Sequence, residues 1–255
     1  MSVDFVVDSD RLLKIDDVYM IVLADTKDSI LPGTRDISEE IPGRDGEYDF
    51  GTELEARVLE LHVAIPLAGS LIGKDFTHTK AYVKDTISKH FNPKTGIKTL
   101  SFADKPGKVY YVKYSGVIES YKEHVSWLEY TIPLKMPDPY IYSVAETVSS
   151  ISGETIVLNN GTVDAPVIVV VTGASTSPAV TISSTTYGLQ EMQWLGELGE
   201  GETLVMDTDK MVVTIDGDNA VSGYNNNFPS LPPGESTVEF SGGGSAEIKW
   251  RDRWI

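Results

Sequence analysis

Apolar and polar residues alternate along most of this chain, a period that belongs to strands with one buried face. In the first half, "DFVVD" and "YMIVLAD" read as short strands. "ARVLELHVAI" reads as a longer one, with Val58, Leu61, Val63 and Ile65 as its apolar positions. One segment changes period. In "DFTHTKAYVKDTISKHFNP", residues Phe76, Val83, Ile87 and Phe91 recur at helical spacing, which predicts a helix over about 75–91. Asp75 or Thr77 would cap its start, and Asn92-Pro93 would stop it. "KTLSF", "VYYVKYSGVIESYKE" and "VSWLEYTIPLKM" return to strand patterning. The first half is therefore α+β, mostly antiparallel sheet with one helix packed on it.

Between residues 25 and 51 the pattern lapses. "DTKDSILPGTRDISEEIPGRDGEYDFG" is polar, with two prolines and several glycines. A connection this long is uncommon in a compact domain unless it serves a function. The Asp45-Gly46 turn signal makes it a projecting hairpin or arm. Its candidate contact residues are Ile30, Pro32, Arg35, Ile37, Ile41, Arg44 and Tyr48.

The second half is patterned as β throughout. "ETIVLNNGTVDAPVIVVVTG" carries an Asn-Gly turn between two strands. "STVEFSGGGSAEIKW" reads as a hairpin. Turn signals recur every 8–12 residues or so, as in a sandwich or jelly roll. The halves meet in "YTIPLKMPDPYIYS", where Pro133, Pro137 and Pro139 are expected to rule out both a helix and a continuous central strand. Pro137-Asp138-Pro139 is read as a stiff joint, giving domains of 1–137 and 138–255.

Charge sharpens the division. The net charge is −17, and residues 139–255 contain only Lys210, Lys249, Arg251 and Arg253 as cations against fifteen carboxylates. Such a surface has no footprint for a phosphate backbone. All four histidines, His62, His78, His90 and His124, lie in the first half, and there is no cysteine, so disulfides and thiolate metal sites are excluded. The N-terminus shows no signal-peptide pattern. The apolar run at residues 165–171 is too short to span a bilayer. These features give the expectation of a soluble protein made in a cytoplasm.

Catalytic chemistry finds little support. There is no nucleophile elbow, zinc-binding helix motif or Walker loop. Asp216-Gly217-Asp218-Asn219 begins like a calcium loop but has Val221 and Asn227 where that loop needs Gly and Glu, so it reads as a hairpin turn. No catalytic, cofactor or metal residue is assigned. Tyr187, Trp194 and Tyr224 are candidate glycan-stacking aromatics.

Four ordered segments carry a resemblance. They are "IPGRDGEYDFG" followed by "LELHVAI"; "KHFNPKTG" followed by "LSFADKPGKVYYVKYSG"; "IPLKMPDPYIYS"; and "NNGTVDAPVIVVV" with "GETLVMDT" and "WRDRWI". Together they resemble the distal tail proteins of long-tailed, non-contractile bacteriophages. The resemblance implies a structural, non-enzymatic tail-tip hub in the virion, synthesised in the bacterial host cytoplasm. Its first domain would form a homo-hexameric ring between the tail tube protein and the tail-associated tip protein, with DNA passing through without specific binding. Its second domain would be a galectin-like β-sandwich carrying receptor-binding or baseplate proteins. Galectin-type sugar binding needs a histidine that this half lacks. The alternative reading is a carbohydrate-binding or carbohydrate-cleaving β-sandwich.

Overall fold

The computed structural model describes residues 3–71 and 74–255, and the side chains among them except those of residues 70–76, 120 and 121. The chain divides into two compact units, residues 1–141 with Ile255, and residues 142–254.

The first unit begins with β1 (Phe5–Val7), β2 (Leu12–Ile15), β3 (Val18–Val22), the short β4 (Lys27–Asp28), β5 (Thr34–Glu40) and β6 (Glu47–Leu54). It continues with β7 (Arg57–Pro66), β8 (Ala68–Leu71), β9 (Lys74–Thr77) and helix α1 (Lys80–His90). It ends with β10 (Lys98–Phe102), β11 (Lys108–Tyr114), β12 (Glu119–Glu123) and β13 (Trp127–Met136). The pairing order β13–β7–β3–β2–β1–β10–β11 returns to β13, so the sheet closes on itself. Closure removes edges that would otherwise template pairing with other chains. Leu13, Met20, Leu59, Leu61, Leu100 and Ile132 are almost wholly buried.

Asp4 fastens the N-terminus to this barrel. Its Oδ2 accepts from the Thr99 amide and hydroxyl, both at 2.8 Å, while its own amide donates to Thr99 Oγ1 at 2.9 Å. The bond from the Thr99 amide is the main cause holding the Asp4 carboxyl below the usual aspartate value, against a smaller opposing effect of burial. A depressed carboxyl contributes stability that is present above its unfolded pKa and lost as pH falls through the folded one. Stability of this unit is therefore expected to decline below about pH 4. Asp4→Asn should flatten that acid limb in pH-dependent urea unfolding; an unchanged limb would exclude Asp4 as a contributor.

Three local expectations are corrected. The helix begins at Lys80, not near residue 75: residues 74–77 form β9, paired with β8. The cap is Thr79, whose hydroxyl accepts from the Tyr82 amide at 3.2 Å. The side chains of Asp75 and Phe76 lie outside the described residues. Val83 and Ile87 are buried, and Phe91 stacks on Phe5 with ring centroids 5.2 Å apart.

Pro133 lies inside a central strand. β13 runs through it, paired with β7 from Trp127 to Met136. On its other side β13 pairs with β12 up to Thr131 and with β11 from Leu134 onward. Pro133 thus falls where one partner gives way to the next, and its missing N–H breaks no ladder bond. Its carbonyl accepts from Ser115 N at 3.2 Å. Gly116, at φ 131°, lets the backbone pass the proline ring, since a Cβ there would sit 3.0 Å from Pro133 Cγ. After Met136 the strand ends, and Asp138 Oδ1 accepts from the Tyr140 amide at 3.2 Å.

The second unit is a sandwich. One sheet orders Thr147–Ile151, Ser245–Trp250, Ala165–Thr172, Thr203–Asp207, Val212–Ile215 and Asp218–Asn219. The other orders Thr155–Asn159, Gly234–Ser241, Ala179–Ser184 and Gly188–Gln193. Val167, Val169, Val171, Met206 and Ile248 from the first sheet share one core with Val157, Val180, Ile182 and Val238 from the second. The segment read as a hairpin, "STVEFSGGGSAEIKW", is instead a crossover. Gly234–Ser241 and Ser245–Trp250 lie in opposite sheets. Gly242–Gly244 make the passage possible, because a Cβ on Gly243 or Gly244 would lie 2.4 Å from the Ala174 carbonyl oxygen or 2.3 Å from that of Thr172. Asp216-Gly217 forms the tight turn expected of it, with φ of 50° and 92°.

Candidate functional site

The arm is a two-stranded hairpin. Among the described residues β5 and β6 pair only with each other, from Thr34↔Leu54 to Glu40↔Glu47. Every residue of β5 is exposed. A two-stranded hairpin alone is marginally stable in water, so one with both faces exposed calls for a partner.

The register sorts its side chains. Side chains opposite one another share a face, and alternate residues of a strand do too. Arg35, Ile37, Glu39 and Ile41 of the first limb therefore lie with Glu53, Phe50 and Tyr48 of the second; the register shift at Ile37 and Phe50-Gly51 keeps Phe50 on this face. Asp36, Ser38 and Glu40 lie opposite, with Thr52, Asp49 and Glu47. One face is mostly apolar and the other is acidic. Ile37, Ile41, Tyr48 and Phe50 are 41%, 48%, 42% and 65% exposed, a patch that monomeric proteins rarely leave open. Arg35 pairs with Glu53, and the Arg44 guanidinium sits 4.0 Å from the Tyr48 ring centre. Ile30 and Leu31 add exposed apolar surface ahead of the hairpin.

Of the arm residues expected to make contacts, Pro32 is the exception. It is buried within its own chain, at the arm's root beside the Glu55 N–H···O=C Gly33 bond of 2.7 Å. Phe50 was missed from the sequence, although its place next to Gly51 in the limb was the available signal.

The root also holds buried charge. Arg57, which opens β7, is 2% exposed and donates to the Ser29 carbonyl at 2.9 Å. Its Nη1 lies 3.9 Å from Asp28 Oδ1, while its Nε and Nη2 have no hydrogen-bond partner among the described residues. Asp28 also accepts from Lys105. Burial presses the Lys105 ammonium toward a lower pKa, but Asp28 and Tyr110 together hold it above the usual lysine value. A cavity of about 450 Å³ adjoins this root, lined among others by Asp8, Arg11, Asp28, Asp104 and Lys105.

The three aromatics proposed for glycan stacking do not form a shared open platform. Tyr224 is buried, and burial raises its phenol pKa well above the usual value. Trp194 packs against the sandwich core and donates from Nε1 to the Ala220 carbonyl at 3.2 Å. Its ring is held between Gly196 and Gly223, where a Cβ would approach to 2.4 and 2.7 Å. Tyr187 is exposed, with its hydroxyl on Asp164 Oδ2 at 2.6 Å. Among the described residues no three His, Asp or Glu side chains are grouped to hold a metal ion. His62 bonds Asp25 through Nδ1 at 2.6 Å, and this bond is the main cause of a lowered Asp25 pKa. No helix among the described residues is long and apolar enough to cross a membrane.

Comparison with known proteins follows the two units. The family described as "Phage tail protein RIFT-related domain" matches residues 17–134. That described as "Siphovirus-type tail component, C-terminal domain" matches residues 160–254. Among solved structures, the Dit protein of phage SPP1 is described as a paradigm of the hub adsorption apparatus in phages infecting Gram-positive hosts. It aligns with 92% of this chain and 94% of its own, at 14% identity and a TM-score of 0.71. A chain of the phage p2 baseplate, in its activated conformation with calcium, covers 88% of each chain at 6% identity and a TM-score of 0.41, a likeness too weak to add to the fold assignment. No curated protein matches the chain.

Proposed function

This chain belongs to the Dit-like distal tail proteins of siphophages, and on that premise we propose that six copies close into a ring at the tail tip. The coarse role, a structural component of the phage tail hub or baseplate, comes with the family.

The observation that carries the ring is the arm. A hairpin exposed on both faces, with its apolar side chains gathered on one, is built to be covered by another chain. An arm that lies on a different surface of its neighbour makes a heterologous contact, and such a contact closes into a ring when its rotation permits. The first domain would form the ring, between the tail tube protein and the tail-associated tip protein. The second, galectin-like domain would carry receptor-binding or baseplate proteins. With a net charge of −17 on each chain, the assembly would let DNA pass without the cation–phosphate exchange that makes it stick. The role needs no catalysis.

Electron microscopy of virions tests this location. A gold-labelled antibody against the second domain should decorate the tail end farthest from the capsid. Decoration of the capsid or of the whole tail length would contradict it.

A further inference from the structure

The arm's apolar face contains a charge that dictates what can cover it. Glu39 sits between Ile37 and Ile41 on the first limb and opposite Tyr48 on the second. It makes no ion pair among the described residues. A surface that buries Ile37, Ile41, Tyr48 and Phe50 would also desolvate this carboxylate, which is costly unless the covering surface supplies a cation.

The same chain carries a matching anomaly. Lys113 of β11 and Lys135 of β13 are direct cross-strand partners. Both turn away from the barrel interior, since their neighbours Val112, Leu134 and Met136 are buried. Like charges directly opposite destabilise a sheet. Neither lysine has an ion-pair partner among the described residues, and Glu60, on the same face of β7, is already held by Lys27 at 2.7 Å. Val58, the residue opposite Lys135 on β7, is 53% exposed beside them.

We propose that the arm of one copy lies across the β7–β13–β11 face of a second copy, with Glu39 on Lys113 and Lys135 and the arm's apolar side chains over Val58. Each surface supplies what the other lacks: an anion for two crowded cations, a cation for a carboxylate set among apolar residues, and apolar cover for both. Phosphate would answer the lysines alone but leaves the apolar face of the arm exposed. The hairpin, residues 34–54, has seven carboxylates against Arg35 and Arg44, so its remaining charge favours the same approach. The proposal rests on the ring reading and names its interface.

The test is a charge swap read by native mass spectrometry of the purified full chain. K113E/K135E is expected to lose the ring, as is E39K. The triple variant E39K/K113E/K135E is expected to regain the wild-type mass. A wild-type ring that persists in K113E/K135E, or a triple variant no better than either parent, overturns this docking and leaves the ring standing. A wild-type chain that is monomeric up to the highest concentration overturns both. Circular dichroism of each variant separates lost assembly from lost folding.

Discussion

Serine at both Ile37 and Phe50 is expected to abolish assembly while leaving the monomer folded. Both side chains are open to solvent in the single chain, so their removal costs the fold little, within about 0.5 kcal/mol each. In the proposed ring a neighbouring copy would cover them. Fully burying such a side chain is worth about 1.5–3 kcal/mol. Ile37 and Phe50 have only 41% and 65% of their surface left to bury, so losing both weakens each inter-subunit contact by about 1.5–3 kcal/mol, or about 10- to 10²-fold in the dissociation constant. Since each contact in a ring is repeated at every interface, the assembled species should disappear from light scattering at concentrations where the wild type is fully assembled. A double variant that assembles normally would show that the apolar face of the arm is not an interface.

The second large effect belongs to the arm's root. Asp28→Ala is expected to destabilise the first unit by about 3 kcal/mol, the scale for removing one partner of a buried ion pair. Arg57 is almost wholly buried and has two nitrogens without partners among the described residues, so its charge depends on the Asp28 carboxylate nearby; Lys105 would lose the same anion. Arg57→Leu should cost far less. It removes the buried charge altogether, and Asp28 keeps Lys105. Urea unfolding followed by intrinsic fluorescence compares the two. The order of the midpoints is the diagnostic: if Arg57→Leu is the more damaging, Arg57 is held by packing and not by charge. Asp28 precedes β5 and Arg57 follows β6, so this cluster ties both ends of the arm to the barrel. Its loss should also weaken assembly.

Much of this architecture was legible in the sequence because it depends on period. Alternation in residues 245–250 and the short apolar run at 165–171 mark strands, and in both every second residue is buried. The helix showed in Val83, Ile87 and Phe91. The arm showed as a lapse of pattern with an Asp-Gly turn. What escaped depends on contacts between distant residues. Pro133 looked like a strand breaker, and only the change of partner from β12 to β11 makes it harmless. Three consecutive glycines looked like a hairpin turn, while their need for no Cβ comes from the backbone at residues 172–174. Thr79 lost to Asp75 and Thr77 as the expected cap because the β8–β9 pairing takes up residues 74–77 first. For the site, composition pointed to the arm but not to its two-faced character, which follows from the register shift near Gly51. The juxtaposition of Lys113 and Lys135 is likewise a matter of register. Trp194 and Tyr224 are adjacent in the fold, as a β-bridge joins them, but inside it and against its core.

A ring-forming hub subunit is distinguished from a lone chain by the mass of the purified protein. Light scattering after size exclusion, across a dilution series, should give six times the chain mass of 27.9 kDa, falling only as the sample is diluted. A single-chain mass at every concentration would contradict the account.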